Sequence, residues 1–295
     1  MAANHVPVLV SETLTVLDPT RGGLFVDCTV GLGGHSRALL AAGATRVLGL
    51  DRDPDALSLA AVALRPFGDR VELVHADYRD LDRVLDGRGI ENVAGALADL
   101  GVSSMQLDTE GRGFSFQRDE PLDMRMDRSR PPSAAELLAD VDEEDLANLI
   151  FQYGEERYSR RIARAIVQAR QVSPVTTTGQ LAALVRRAIP TRGRQRIDPA
   201  TRTFQALRIR VNRELEGLDA FLGVAARRLM AGGRLAVIAF HSLEDRIVKH
   251  TFRALSQAES AIRILTKRPL VAGDEEVAGN PRARSAKLRA IERLA

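Results

Sequence analysis

A glycine-rich turn with acidic residues on both sides is the part of this chain best suited to bind a ligand. The apolar run Leu24–Val26 leads through Asp27 into the turn Gly31–Gly34, and a second apolar run ends in Asp51. A strand, a glycine turn, a helix and a second strand that ends in an acid are typical of a nucleotide-binding βαβ unit. The glycines let the backbone approach a ligand, and the Asp51 carboxylate can accept hydrogen bonds from both ribose hydroxyls. The sequence therefore predicts a site for an adenosine-containing cofactor.

Four successive predicted strands end in acidic residues. They are Asp27, Asp51, Asp77 and Asp99. The carboxyl ends of parallel strands share one edge of an open α/β sheet, and such sheets bind ligands at that edge. We therefore expect four carboxylates to line the site.

Two adenosine-containing cofactors, a dinucleotide and S-adenosylmethionine, compete for this site. A dinucleotide needs a third glycine and a helix N-terminus directed at its pyrophosphate. In this chain Ser36 occupies the position of the third glycine. Asp27 would also place negative charge beside a pyrophosphate, whereas acids suit the sulfonium and amino groups of S-adenosylmethionine. The spacing favours S-adenosylmethionine. The alternative that the glycines only form a strand–helix turn stays open.

Sequence blocks along the whole chain resemble one enzyme family. They are Asp27–Ser36, Asp51–Pro54, Asp99–Asp108, Arg112–Phe116, Pro121–Asp127, Phe240–Arg246 and Asn280–Arg289. These blocks are similar to the bacterial 16S ribosomal RNA cytosine-N4 methyltransferases, the methyltransferase H family. Met105 stands for a usual proline and Cys28 for a usual glycine, and neither departure removes a group that could do chemistry.

The resemblance implies both a reaction and a set of cofactor contacts. The reaction is transfer of a methyl group from S-adenosylmethionine to the exocyclic N4 amine of a cytosine in the decoding region of the small subunit. The implied cofactor contacts are Gly33, Gly34, His35, Asp51, Tyr78, Asp99 and Gln106. In this set Asp51 would bind the ribose and Tyr78 would cover the adenine.

The acceptor amine needs a partner, because its lone pair is partly withdrawn into the pyrimidine ring. Asp99 is the best-placed residue to hold the amine in line with the methyl group and to take a proton as positive charge develops. Phe114 and Phe116, in the loop that follows, are candidates to stack on an extruded cytosine. The alternative, that these rings anchor the loop to the core, stays open.

The cysteine and the histidines narrow the chemistry further. Cys28 is the only cysteine and is expected to be a buried small residue. Transfer to N4 needs no thiolate, unlike methylation at ring carbon 5. The five histidines lack metal-ligand spacing, so no catalytic metal is expected. His241 either faces the substrate or hydrogen-bonds at a strand end, beside a predicted capping box of Ser242 and Asp245.

A long insertion interrupts the predicted sheet. The next convincing strand after Asp99 is Gly233–Phe240, and a simple crossover needs only about a dozen residues. The predicted fold class is therefore α/β, a Rossmann-like class I methyltransferase sheet with an inserted helical domain. We expect residues 1–107 and 216–295 to form the S-adenosylmethionine-binding methyltransferase domain. Residues 108–215 are expected to form the inserted helical RNA-recognition domain, with capping boxes at Ser133/Glu136 and Thr177/Gln180.

The inserted segment is rich in arginine. Residues 181–213 contain nine arginines and one acid. At about 100° per residue an apolar helix face is formed by Phe204, Leu207, Val211, Leu215 and Leu218. Arg202, Arg210 and Arg213 lie mostly on the opposite face, which suits phosphate contacts. A merely solvated surface is the alternative. Arg282–Arg289 is a second basic segment, either near the cofactor or a flexible arm.

Composition excludes several classes of protein. One cysteine in 295 residues rules out a disulfide framework. The first residues lack a signal-peptide pattern, and no apolar run approaches the ~20 residues of a membrane span. We expect a cytoplasmic protein that acts on small-subunit ribosomal RNA, within the assembled or assembling 30S particle, and not on a membrane. A homodimer is one oligomeric state that the sequence leaves open.

Other functions also stay open. These are a methyltransferase for DNA cytosine or a protein side chain, an NAD-dependent reductase, and a non-catalytic RNA-binding protein. The missing third glycine disfavours the reductase, and the row of acids disfavours the non-catalytic protein.

Overall fold

The computed structural model describes residues 7–190 and 198–295, and the chain divides into two compact units. The sheet unit comprises Met1–Gly101 and Leu215–Ala295, and the helical unit comprises Val102–Glu214. The first junction lies after Gly101, earlier than the boundary at 107/108 that the sequence suggested. The reason is that Val102 and Leu107 pack against the core of the helical unit.

The sheet unit is built around a seven-stranded sheet. Its strands are β1 (Leu24–Asp27), β2 (Arg46–Asp51), β3 (Val71–His75), β4 (Val93–Asp99), β5 (Leu229–Ala239), β6 (Ile262–Ile264) and β7 (Lys287–Arg293). Their order is β3-β2-β1-β4-β5-β7-β6. The first five strands pair in parallel, whereas β7 runs antiparallel to both β5 and β6. The predicted Rossmann-like α/β class is confirmed.

Helices cover this sheet and make up the inserted segment. They are α1 (Val10–Leu17), α2 (Gly34–Ala41), α3 (Pro54–Leu64), α4 (Leu81–Asp86), α5 (Ser104–Asp108), α6 (Ala134–Asp140), α7 (Glu143–Gly154), α8 (Ser159–Val172), α9 (Thr178–Ala188), α10 (Ala200–Asn212), α11 (Leu218–Arg227), α12 (Ser242–Ala258) and α13 (Asp274–Gly279). Across residues 7–190 and 198–295, no helix combines the length and the apolar character that a membrane crossing requires.

Two apolar cores cover the two faces of the sheet. Adjacent strand residues point to opposite faces, and Phe25 and Val26 accordingly belong to different cores. One core takes side chains from α4, α11 and α12, and the other from α1, α2 and α3. Burial of each large apolar side chain contributes about 1.5–3 kcal/mol. The cores therefore fix the strand ends that carry the acids.

The helical unit has a core of its own. Leu146 on α7, Ile162 on α8 and Leu207 on α10 are fully buried in it. The apolar faces of these helices therefore face one another, as expected for amphipathic helices.

Two helices of this unit begin in the capping boxes that the sequence predicts. Ser133 and Glu136 cap α6, and Thr177 and Gln180 cap α9, each with the reciprocal pair of hydrogen bonds. Both predicted caps are confirmed.

The arginine-bearing helix is shorter than its apolar pattern suggested. α10 ends at Asn212, and Arg213 follows in a left-handed conformation with φ 51°. Leu215 and Leu218 therefore do not extend its apolar face, and Leu218 instead begins α11. Residues 191–197, which hold three of the nine arginines, lie outside the described residues.

The C-terminal basic segment is not a flexible arm. From Lys287 onwards it forms β7, between β5 and β6 in the sheet. Leu288 is fully buried there, and Arg289 is paired with Asp245 at 2.6 Å. All five residues from Leu288 to Glu292 are buried, so both faces of this charged strand are covered.

Candidate active site

Three of the four predicted acids stand at strand ends on one edge of the sheet. β1, β2 and β4 end at Asp27, Asp51 and Asp99, and these strands are parallel neighbours. β3 ends at His75, so the prediction that it ends at Asp77 is wrong. Asp77 instead caps the following turn, because its side chain accepts a hydrogen bond from the Arg79 amide.

The glycine turn joins β1 to α2 and is held by Asp51. The Gly31 amide donates to one Asp51 oxygen at 2.8 Å, and the Asp53 amide donates to the other at 2.9 Å. Each carboxylate oxygen keeps a second lone pair that can accept from a ligand hydroxyl. A Cβ on Gly33, whose φ is +82°, would lie 3.0 Å from Leu64. The turn therefore needs glycine there for its own packing.

Asp27 is buried, and its carboxylate hydrogen-bonds to residues on both sides of the glycine turn. Its carboxylate accepts from the Ser36 hydroxyl at 2.7 Å and from the Thr29 amide at 3.3 Å. Burial raises the pKa of Asp27 from 3.8 to about 6, and Asp51 adds to the rise against these hydrogen bonds. Asp27 therefore connects the end of β1 to the start of α2.

Asp77 is neutralised by two arginines. Arg79 donates to both of its oxygens, at 2.8 and 2.6 Å, and Arg52 lies 3.5 Å away. Burial opposes ionisation, but the hydrogen bonds and charge of these arginines outweigh it, so the pKa of Asp77 lies below its usual value. This carboxylate is already satisfied by the protein.

Asp99 differs from the other acids because one of its oxygens is unsatisfied. Within the described residues, Asp99 Oδ1 is buried and has no hydrogen-bond partner. His35 Nε2 lies 3.6 Å from the other oxygen, and the Asp99 amide donates to the Thr29 hydroxyl at 2.6 Å. Burial raises the pKa of Asp99 well above its usual value, and the negative charges of Asp27 and Glu244 raise it further.

The unsatisfied oxygen indicates a place for a ligand. A buried acceptor without a donor costs about 1–3 kcal/mol, and a ligand N–H or a cationic group would remove that cost. Asp99 lies on the same sheet edge as the glycine turn and Asp51. These residues suit a ligand that combines a ribose with positive charge, as S-adenosylmethionine does.

His241 begins a helix instead of facing an open site. It is the N-cap of α12, where Glu244 takes the partner role in the capping box. The predicted box of Ser242 and Asp245 is therefore wrong, and Asp245 pairs with Arg289. His241 thus hydrogen-bonds at the strand end, the second of the two alternatives.

Glu244 and Thr29 also belong to the site, although the sequence pattern did not indicate a role for either residue. Glu244 is 1% exposed, accepts from the Phe240 amide at 2.9 Å, and acts on the pKa of Asp99. Thr29 holds the Asp99 backbone. The sequence did contain a signal for both residues, because they lie in the family-like blocks Phe240–Arg246 and Asp27–Ser36.

Tyr78 and Cys28 contribute to the core beside this edge. Tyr78 is 6% exposed, and its ring packs on Phe221 with centroids 4.7 Å apart. Cys28 is buried, as predicted, and burial raises the pKa of its thiol. A neutral buried thiol is a poor nucleophile.

Three further predicted residues lie in the helical unit. Gln106 is buried and caps α5 in a box with Ser103. Phe114 is 7% exposed in the core of this unit, and Phe116 packs edge-on against Phe204 at 4.7 Å. Both rings therefore pack on the core of the helical unit, as in the alternative in which they anchor the loop.

The three predicted arginines are all exposed on the helical unit. Arg202 donates to the Glu155 carbonyl at 3.3 Å and lies 3.7 Å from Glu156. Arg210 is in the last turn of α10, and Arg213 is its C-cap. Arg202 is therefore partly engaged by the protein itself.

Comparison with known proteins gives the family. The chain matches the model of the MraW methylase family over residues 2–294. It is 53% identical to a ribosomal RNA small subunit methyltransferase H of Sorangium cellulosum (strain So ce56), over 98% of this chain and 91% of that protein. It is 52% identical to the protein of the same name from Cyanothece sp. (strain PCC 7425 / ATCC 29141), over 98% and 95%.

Among solved structures, a rRNA methylase from Streptococcus thermophilus aligns over 97% of this chain and 94% of that chain. Its TM-score is 0.42 and its identity 14%, too weak a likeness to bear on function. The family model, by contrast, spans nearly the whole sequence, and both curated relatives exceed half identity. The chain belongs to the MraW methylase family.

Proposed function

We propose that the chain transfers a methyl group from S-adenosylmethionine to the exocyclic N4 amine of a cytosine in the decoding region of small-subunit (16S) ribosomal RNA. The observation that carries this proposal is the buried, unsatisfied Asp99 Oδ1 at the end of β4. Family membership supports methyl transfer. The names of the two curated relatives support a small-subunit ribosomal RNA substrate.

The cofactor supplies the methyl group as a sulfonium when it is bound. In the sheet unit, Gly33, Gly34 and His35 offer the turn between β1 and α2, and Asp51 binds the ribose. Tyr78 covers the adenine. Asp51 is suited to this role because Gly31 and Asp53 fix its orientation while lone pairs stay available.

Asp99 is the proposed catalytic residue. Its Oδ1 accepts a hydrogen bond from the cytosine amine, which orients the nitrogen lone pair, and then holds the proton that the amine loses. A raised pKa makes the ionised carboxylate a stronger proton acceptor. Thr29 positions the Asp99 backbone. Burial raises the pKa of Asp99, and the negative charges of Asp27 and Glu244 raise it further.

The helical unit is proposed to recognise RNA. The exposed arginines Arg202, Arg210 and Arg213 are suited to phosphate contacts. The substrate form is proposed to be the assembled or assembling 30S particle, which places the protein in the cytoplasm. A homodimer is compatible with these roles.

Mass spectrometry of RNA fragments tests the proposed function directly. Small-subunit particles from a strain that lacks the protein are incubated with the purified chain and S-adenosylmethionine. The RNA is then digested to oligonucleotides for mapping and to nucleosides for identification of the methylated base. We expect N4-methylcytidine to appear at one decoding-region cytosine. Methyl groups on cytosine carbon 5 or on a ribosomal protein, in place of N4-methylcytidine, would contradict the proposal.

A further inference from the structure

A cavity in the helical unit lies at the turn between α7 and α8. Its volume is about 410 Å³, within the ~300–1,000 Å³ typical of small-ligand pockets. The side chains that bear on its chemistry are Asn148, Phe151, Arg157, Tyr158, Arg160 and Arg161. None of the residues assigned to RNA above lines it.

The cavity offers flat aromatic surfaces. Phe151 is 61% exposed, whereas Phe114 and Phe204 are buried in the core of the same unit. The Arg157 guanidinium lies 4.8 Å from the centroid of the Tyr158 ring. An exposed ring and a guanidinium stacked on a second ring are the surfaces on which unpaired bases stack.

The cavity also carries positive charge that the protein leaves uncompensated. Arg157, Arg160 and Arg161 are exposed, and none of the three forms an ion pair in the part of the chain that the structure describes. One turn further along α8, Arg164 pairs with Glu143 at 3.4 Å. The three cationic side chains at the cavity are therefore available to an anion.

The exposed ring and the three arginines together favour one class of ligand over the others. Isolated phosphate would need the arginines but not the exposed ring, and an acidic protein segment would also make little use of a flat ring. A single-stranded nucleic acid needs both, because its backbone is anionic and its bases present π-faces.

We propose that this cavity binds an unpaired nucleotide of the substrate RNA. The base stacks on Phe151, and the flanking phosphates contact Arg157, Arg160 and Arg161. The inference rests on the proposed function for the identity of the RNA. It adds a second RNA contact to the helical unit, formed by α7 and α8 and not by α10.

Substitutions of Phe151 separate stacking from simple apolar contact. The probe is a fluorescent, single-stranded small-subunit RNA fragment that contains the target cytosine, and affinity is measured by anisotropy. Phe151→Leu should weaken binding roughly 5- to 100-fold, the effect expected for removing one stacked base, and Phe151→Tyr should restore it. Substituting the three cavity arginines by Gln should lower the salt slope by about 0.7 for each phosphate that is no longer neutralised.

Two matched controls come from the same unit. Val172 is 90% exposed and apolar, so Val172→Ala should bind the RNA as the unaltered chain does. Arg164→Gln removes one charge from α8 at an ion-paired position and should have little effect. Crosslinking with 4-thiouridine-substituted RNA should label the segment that contains Phe151.

Three other results would change the inference or the proposed function. Unchanged RNA affinity in both the Phe151→Leu and the arginine variants would overturn the inference. Weaker binding to intact 30S particles with unchanged binding to the RNA fragment would replace it by a protein contact. The methyl-transfer assay of the unaltered chain is separate: if it yields no N4-methylcytidine while Phe151→Leu still weakens RNA binding, the proposed function fails and the nucleotide cavity stands.

Discussion

At the scale of single residues, the acids of the sheet edge have different tasks because their surroundings differ. Arginines satisfy Asp77, a hydroxyl and an amide satisfy Asp27, and two backbone amides orient Asp51. Asp99 keeps a buried oxygen without a donor. Chemical role therefore follows from local hydrogen bonding and not from the residue type.

Asp99→Asn should strongly reduce methyl transfer. Asn keeps the size of Asp and one acceptor oxygen, but it cannot take the proton, and its amide would oppose the donor amine. General-base contributions are typically ~10²–10⁴-fold, so the single-turnover rate at saturating cofactor should fall by that amount. Cofactor and RNA affinities are measured separately by calorimetry. A variant that binds both and still reacts within about threefold of the unaltered chain would limit Asp99 to orienting the amine.

Asp51→Ala should weaken cofactor binding. Removing charge-assisted hydrogen bonds to the ribose should cost about 1.5–3 kcal/mol per bond, and the Gly31 and Asp53 amides would no longer be held, which should also loosen the turn. Calorimetry with S-adenosylmethionine measures the change. Asp69→Ala, at an exposed position of the same unit, is the control. Unchanged affinity in a folded Asp51 variant would remove this residue from the site.

Asp27 should make folding stability depend on pH. Its pKa is raised to about 6 in the folded protein from 3.8, so between these values the folded state holds a proton that the unfolded state has released. The contribution of Asp27 to the free energy of unfolding is therefore complete below pH ~4. It is lost as the pH rises through ~6, which lowers the free energy of unfolding by roughly 3 kcal/mol.

Chemical denaturation of the unaltered chain and of Asp27→Asn checks this dependence. The free energy of unfolding of the unaltered chain, relative to the variant, should fall between pH 4 and 7, because Asn stays neutral and still accepts from Ser36. Asp69→Asn should show no comparable difference. Parallel pH profiles for the unaltered chain and the Asp27 variant would show that the pKa of Asp27 is the same in the folded and the unfolded protein.

The sequence indicated the acids and the glycine turn but not the helix cap at His241. Hydroxyl and carboxyl residues usually start helices, so Ser242 was the natural choice. In the structure the ring of His241 and the buried carboxylate of Glu244 take these places. That arrangement depends on burial at the end of β5, which a pattern of neighbouring residues does not reveal.

At the scale of elements, the apolar patterns predicted the parallel strands well and the end of α10 poorly. The period of apolar residues continues past Asn212 to Leu218, although Arg213 leaves the helix in a left-handed conformation. Leu218 is buried in the other unit, on α11. Periodicity identifies buried residues but not which core buries them.

Arg202, Arg210 and Arg213, changed together to Gln, should weaken RNA binding. The exposed position of all three on or beside α10 is the reason. The slope of log affinity against log salt should fall by about 0.7–0.9 for each phosphate that these arginines no longer neutralise, with cofactor affinity near normal. Glu155 and Glu156 already engage Arg202, and this contact should reduce the contribution of Arg202 to RNA binding.

A charge-matched variant controls for net charge. Arg65, Arg83 and Arg253 are exposed on the sheet unit, and their joint change to Gln removes the same charge. If both triple variants lower the slope equally, the effect is one of total charge and not of the α10 surface.

At the scale of the whole molecule, each unit has its own buried core and its own proposed task. The sheet unit carries the glycine turn and Asp99, and the helical unit carries the exposed arginines and the cavity proposed to bind a nucleotide. The sequence predicted this division from the long interval between β4 and β5. It misplaced the first junction because the packing of Val102 and Leu107 on the helical core is a tertiary property.

The helical unit, residues 102–214, should fold and bind RNA on its own. Asn212, at the end of α10, accepts from the Met126 amide at 2.8 Å and donates to the Met124 carbonyl at 2.7 Å, so the last helix is tied to the first loop inside the unit. Circular dichroism should show a helical protein with one cooperative thermal transition. Its RNA binding should depend on salt and should decrease in the triple variant of Arg202, Arg210 and Arg213. Asn212→Ala should cost about 1–3 kcal/mol, because it leaves a buried amide and carbonyl unpaired. A fragment without a cooperative transition would show that the helical core is not sufficient by itself.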